Sequence, residues 1–114
     1  MVKVMVLVRK PSDVGAGAFR RHLDEVHLPL VARLPGLQRL VANHVVASAD
    51  GSTPPYDAVM EDWFESMEAT QAGFAGPEGQ AAGADFPTFA DPEQLRIGVV
   101  QEAEVPLMAG GGAR

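Results

Sequence analysis

The chain has no cysteine. Disulfides, thiolate metal sites and a cysteine nucleophile are therefore excluded. It is short of positive charge as well. Only Lys3 and Lys10 are lysines, and 9 basic residues stand against 15 acidic ones, for a net charge of −6. Without a basic cluster to neutralise phosphates, nucleic acid is not expected as a partner. Long hydrophobic runs are missing too. The N-terminal "MVKVMVLVRK" is apolar over a stretch too short for a membrane span, and no small-residue cleavage site follows it. This excludes a signal peptide and a membrane partner from the reading, and the expected location is the cytoplasm. No serine sits in a nucleophile elbow, and there is no GxGxxG or phosphate loop.

What is present describes one globular domain of 114 residues, 46% hydrophobic and 21% charged. The domain is expected over 1–106, with a flexible tail over 107–114, "LMAGGGAR". Val2 to Val8 is short and valine-rich, which predicts a strand. Phe19, Leu23, Val26, Leu30 and Leu34 recur at helical spacing until "LPG" stops them. Strands are predicted over 37–47 and 56–65. Ser66 caps a second helix, broken at Gly73, Gly76 and Pro77, with Pro77 able to open a further short piece. "DFPTFADP" reads as irregular, and 97–105 as the last strand. The order β-α-β-β-α-β predicts an α+β, ferredoxin-like fold, a four-stranded antiparallel sheet with its helices on one face.

That sheet is apolar on both sides. Val2, Val4, Val6 and Val8 oppose Met5 and Leu7; Leu40, Ala42 and Val46 oppose Val41 and Val45; Met60 and Phe64 oppose Val59 and Trp63. Two short helices cover one face only. The prediction is a homodimer, two sheets packed face to face. The competing reading is a monomer in which "DFPTFADP" folds over the second face.

"FRRHLDEVHLPLVARLPGLQRLVANHVV" (19–46), "DAVMEDWFESMEA" (57–69) and "PEGQAAGADFPTFADP" (77–92) together resemble the EthD family. The most specific piece is His27-Leu28-Pro29-Leu30, followed by "LPGL" and a strand containing "NH". The resemblance implies a dimeric α/β barrel with a small, mostly apolar cavity between sheet and helices. The wider superfamily includes cofactor-independent monooxygenases, cyclases and isomerases. In the third strand Asp62 stands where the family is usually apolar.

Pro29 interrupts the first helix. It cannot donate to the Glu25 carbonyl, and Leu28 before it is pushed away from helical angles. The expected bend opens a pocket beside His27. His44 shares strand parity with Leu40 and Ala42 and is expected to be buried. Each histidine either satisfies a local carbonyl or acts as an acid or base, and the catalytic assignment is His27 with His44. His22 reads as a flanking surface residue. Of Glu61 and Asp62, consecutive in a strand, one must point inward, with its pKa raised unless paired; Arg39 is a candidate partner. Trp63 fits core, interface or ligand platform, and Tyr56 fits a pocket rim. Asn43, Tyr56, Glu61, Asp62 and Trp63 are the candidate ligand contacts. Neither metal nor organic cofactor is expected. The ligand is expected to be a small hydrophobic or aromatic molecule. The function is either a cofactor-independent cyclase, dehydratase, isomerase or monooxygenase, or a non-catalytic accessory or stress-associated binding protein.

Overall fold

A computed structural model describes residues 1–109. The elements run β1 (Val2–Val8), α1 (Ala16–His22), a π turn (Leu23–His27), α2 (Leu28–Val31), β2 (Arg39–His44), β3 (Ala58–Phe64), α3 (Met67–Ala75), α4 (Pro77–Phe89) and β4 (Arg96–Val100). The sheet order is β2-β3-β1-β4, and every neighbouring pair is antiparallel. This is the α+β, ferredoxin-like arrangement expected from the sequence. Residues 110–114 of the expected tail lie outside the described residues.

Strand parity sorts the side chains as the alternation required. Val4, Val6, Val8, Ala58, Met60, Asp62 and Phe64 are all buried beneath the helices. Val4 lies opposite Asp62, and Val6 opposite Met60. Phe19, Leu23, Val31, Leu34, Ala82 and Phe89 close the core from above. β1 has the expected bounds, whereas β2, β3 and β4 are shorter than expected, and β4 stops at Val100. Beyond it Val105, Leu107 and Met108 stand almost fully exposed.

The interruption at Pro29 takes a different form from the one expected. Leu28 keeps right-handed helical angles, φ −59° and ψ −39°. The chain stays helical by widening: Leu28 N–H reaches back to the Leu23 carbonyl, five residues earlier. A π turn of this kind inserts an extra residue into the helix. Pro29 then falls in the first turn of α2, where a missing N–H costs nothing.

Ser66 caps α3 as predicted, its Oγ accepting from Ala69 N–H at 3.1 Å. Ser66→Ala is expected to cost about 1 kcal/mol in denaturant unfolding. At Gly73 the helix passes so close to the loop before β2 that a Cβ would lie 2.7 Å from the Pro35 carbonyl oxygen. Pro77 opens α4 at its first turn.

The larger correction concerns "DFPTFADP". Residues 85–89 of it are not irregular but form the end of α4, with Pro87 inside the helix. Phe89 is buried and Phe86 packs against the core, both on the helix side of the sheet. The segment therefore does not fold over the second face, and the monomer reading loses its cover. Among the described residues no helix is long and apolar enough to cross a membrane.

Candidate functional site

The π turn swings His27 inward. Its side chain is fully buried, with Phe86 and Phe89 of α4 4.4 Å and 4.9 Å away between ring centroids. Its Nδ1 lies 3.0 Å from Asp85 Oδ2. Asp85 also meets His22 Nε2 at 2.9 Å, and Thr88 Oγ1 lies 3.0 Å from Asp85 Oδ1. Burial works to raise the Asp85 pKa, but the hydrogen bonds from His22, His27 and Thr88 outweigh it. The carboxyl is held below its ordinary value. An ionised Asp85 can only accept, so His27 Nδ1 carries the proton and Nε2 is left with its lone pair. Burial drives the His27 pKa below its ordinary value despite the pull of Asp85, which keeps the ring neutral at pH 7. His27 Nε2 is buried and has no hydrogen-bond partner among the described residues.

His27 lines a cavity of about 520 Å³ between sheet and helices. Val4, Val6, Met60, Thr70, Phe74 and Phe86 form much of the wall, and among the described residues no lysine or arginine contributes to it. Ile97 and Val99 of β4 also border it, yet remain 57% and 45% exposed, so the cavity reaches the sheet edge. Besides His27, one titratable residue among the described residues faces this space, Asp62. It is 3% exposed, and its Oδ1 has no hydrogen-bond partner among the described residues. Burial alone pushes its pKa up to about 7.

The other sequence candidates lie elsewhere. His44 is on the helix side of the sheet, as its parity required, but at the end of edge strand β2 it is only half-buried. Its Nε2 pairs with Asp24 at 3.1 Å, and it is not part of the cavity wall. The fold thus does not bring His44 to the cavity that His27 lines. Tyr56 is half-buried in the β2–β3 connection, also away from that wall. Asn43, Glu61 and Trp63 are on the helix-free face. Glu61 Oε2 takes the Lys3 ammonium at 2.6 Å, and Asn43 Nδ2 donates to Glu61 Oε1 at 3.0 Å. These bonds, that of Lys3 first, hold the Glu61 pKa below its ordinary value. Arg39 does not pair with the inward carboxylate. It lies 4.6 Å from the Trp63 ring, and Lys3 lies 4.8 Å from it, so two cations flank the indole. His22 is the residue whose role changes most, from flanking surface to second donor on Asp85.

Asp85 was missed in the sequence because its segment read as irregular. A signal existed: Ala82, Phe86 and Phe89 step by four and three, a helical stripe that runs through Pro87.

A family model described as the EthD domain matches residues 12–93. The chain belongs to the EthD family. An uncharacterised 11.0 kDa protein from the thcB–thcC intergenic region of Rhodococcus erythropolis is 33% identical over 93% of this chain and all of its own length. A crystal structure of an EthD-family protein from Bacillus halodurans is 29% identical, with a TM-score of 0.80 over 90% of this chain and 99% of that one. SnoaB, a cofactor-independent oxygenase from Streptomyces nogalater, shares the fold at 12% identity, with a TM-score of 0.65 over 91% and 94% of the two chains.

Proposed function

We propose that this EthD protein takes a small, largely apolar molecule into the 520 Å³ cavity and moves a proton on it with His27 as general base. One observation carries the reading: a neutral, buried imidazole, anchored through Nδ1 on Asp85, keeps an unpartnered Nε2 beside apolar walls. A base must hold a lone pair near the substrate, and an ionised partner behind the ring stabilises the imidazolium that forms. Enolisable ketones fit this chemistry, since removal of the α-proton needs a base and an environment that shelters the enolate from water. The proton acceptor is the protein's own side chain, so the step draws on no cofactor. The fold shared with a cofactor-independent oxygenase supports a reaction of that general kind.

The test is deuterium exchange at the carbon α to the carbonyl of 1-tetralone, followed by NMR. The wild type should accelerate it, and His27→Gln, folded by circular dichroism, should lose about 10²–10⁴-fold of that acceleration. Binding of 1-tetralone without any exchange would leave a binding protein in place of an enzyme.

The working unit in this reading is a homodimer. Met5, Leu7, Val41 and Val59 are half-buried on a face that no helix covers, and Ile97, Val105, Leu107 and Met108 stand out from the β4 side. Apolar side chains left in water forgo about 1.5–3 kcal/mol each, which favours covering them with a second copy. Sedimentation should give twice the chain mass, and Leu7→Asp should shift it to a single subunit. A wild type that sediments as one subunit at tens of micromolar would end this part of the reading.

A further inference from the structure

The cavity holds a second buried polar group that the proton-transfer reading does not use. Asp62 projects from the middle of β3 into the same space as His27, with Oδ1 unpartnered. Its surroundings offer no counter-ion among the described residues. β1 presents Val4 opposite it and β2 presents Leu40. α3 contributes Thr70 and Phe74 to the cavity, α4 contributes Phe86, and β4 contributes Val99. The nearby charged residues Lys3, Arg39 and Glu61 project from the opposite face of the sheet, engaged with one another and with Trp63. His27 is the one other titratable group facing the cavity. Two buried, unsatisfied polar atoms in an otherwise greasy chamber cost stability, and a ligand that pairs with both would recover it.

We propose that His27 Nε2 and Asp62 form a two-point polar clasp selecting uncharged, ring-containing molecules that carry both a hydroxyl and a carbonyl. This deepens the preceding reading of the cavity and rests on it. The chemistry of the two points is complementary. His27 Nε2, with its proton on Nδ1, accepts from the ligand hydroxyl. Asp62 as a carboxylic acid donates to the ligand carbonyl. A ligand held at both points occupies the His27 lone pair and is bound rather than deprotonated, so proton transfer is left to ketones that lack that hydroxyl. Carboxylate and phosphate ligands are rejected, because the wall has no cation to meet them. The volume suits two fused rings better than a single small one. In the wild type the acid form of Asp62 persists up to about pH 7.

The probes are 5- and 7-hydroxy-1-tetralone, whose phenols ionise well above neutrality, with 1-tetralone and 1-aminotetralin as controls. Binding is measured by calorimetry from about pH 6 to about pH 8. At least one hydroxytetralone should bind the wild type about tenfold or more tighter than 1-tetralone near pH 6. The affinity for either ketone should fall as pH rises past 7, approaching tenfold per unit. Asp62→Asn keeps a donor that never ionises, so its affinity should be flat across the range. Asp62→Leu, with a larger apolar side chain for which the cavity has room, should hold both ketones more weakly than the wild type near pH 6 and without pH dependence, while keeping the preference for the hydroxyl that His27 sets. The proposal is overturned if both ketones bind the wild type equally near pH 6, if Asp62→Asn retains the wild-type pH profile, or if 1-aminotetralin binds tighter than 1-tetralone near pH 6, which needs an ionised Asp62 there. In each of these outcomes tetralone still binds and the cavity reading survives. If no member of the set binds at all, both readings fail together.

Discussion

Asp85→Ala is expected to lower the melting temperature by about 10 °C and to strip His27 of its fixed orientation. The carboxylate takes His27 Nδ1 at 3.0 Å and His22 Nε2 at 2.9 Å. Removing it leaves a fully buried imidazole with neither nitrogen satisfied, since Nε2 already has no partner among the described residues. Leaving a buried donor unpaired costs about 2–3 kcal/mol, and in a domain of this size each kcal/mol moves the melting point by several degrees. The protonation of His27 responds too. Burial already holds its pKa below the ordinary value, and Asp85 is what pulls it back upward. Without Asp85 the ring should stay neutral still further into acid, and its tautomer should no longer be fixed. Ring-nitrogen chemical shifts report both changes. Asp85→Asn keeps an acceptor without the charge and should recover part of the stability but not the upward pull on the pKa. A variant that melts like the wild type, with the same ring shifts, would show that Asp85 does not hold His27.

The acid side of the stability curve follows from the same cluster. The Asp85 pKa is depressed in the folded protein, so its contribution is complete above the unfolded value and disappears as pH falls through the folded one. The His27 pKa is also lowered. Below its unfolded value, 6.5, the unfolded chain takes up a proton that the folded chain refuses, so folding weakens further. Both groups predict loss of stability toward acid. Asp85→Ala should flatten the carboxylate part of that slope in urea titrations across the acid range.

Much of this was legible in the sequence, and the reasons differ by element. β1 and β3 were readable because period-two alternation survives even where both faces are apolar, and it correctly set Met60, Asp62 and Phe64 against Glu61 and Trp63. It also required an inward carboxylate, which is Asp62. His27 was readable through its neighbour: a proline two residues later forces some departure from a regular helix. The form of that departure was not readable. Steric rules for a proline disfavour helical angles at the residue before it, and a π turn instead keeps Leu28 helical by shifting the hydrogen bond back one more residue. His44 shows the limit of parity, which gives the face but not the depth. At the last residue of an edge strand the same face is half-open, and Asp24 meets the ring there. Asp85 was hidden because Pro87 suggested a loop. α4 tolerates that proline through packing, with Phe86 and Phe89 against His27 on one side of the helix. Tertiary packing that outweighs local propensity is a contact between distant segments, which no local window of sequence displays.

Asp62→Leu should raise stability by about 4 kcal/mol at alkaline pH and by progressively less toward acid. In the folded chain the carboxyl pKa is about 7, against an ordinary value of 3.8. The folded state therefore binds the proton more tightly than the unfolded one. The sign follows directly: ionisation of this residue adds no cost below the unfolded value, adds more as pH rises from there to about 7, and adds its maximum above that. Three units at about 1.4 kcal/mol each give the size of the effect. Unfolding in urea at a series of pH values measures it: the wild-type curve should decline through the window between the two values, and the variant should lack that decline. A parallel pair of curves would mean that Asp62 finds a partner in solution and is not strained. The expected gain makes a point about function. A leucine at this position would pack against Val4 and Met60 at no electrostatic cost, yet the chain places an acid there. A buried acid that lowers stability and has no partner of its own among the described residues is explained by a ligand that pairs with it, and the same substitution that stabilises the fold should weaken the hold on a ligand carbonyl.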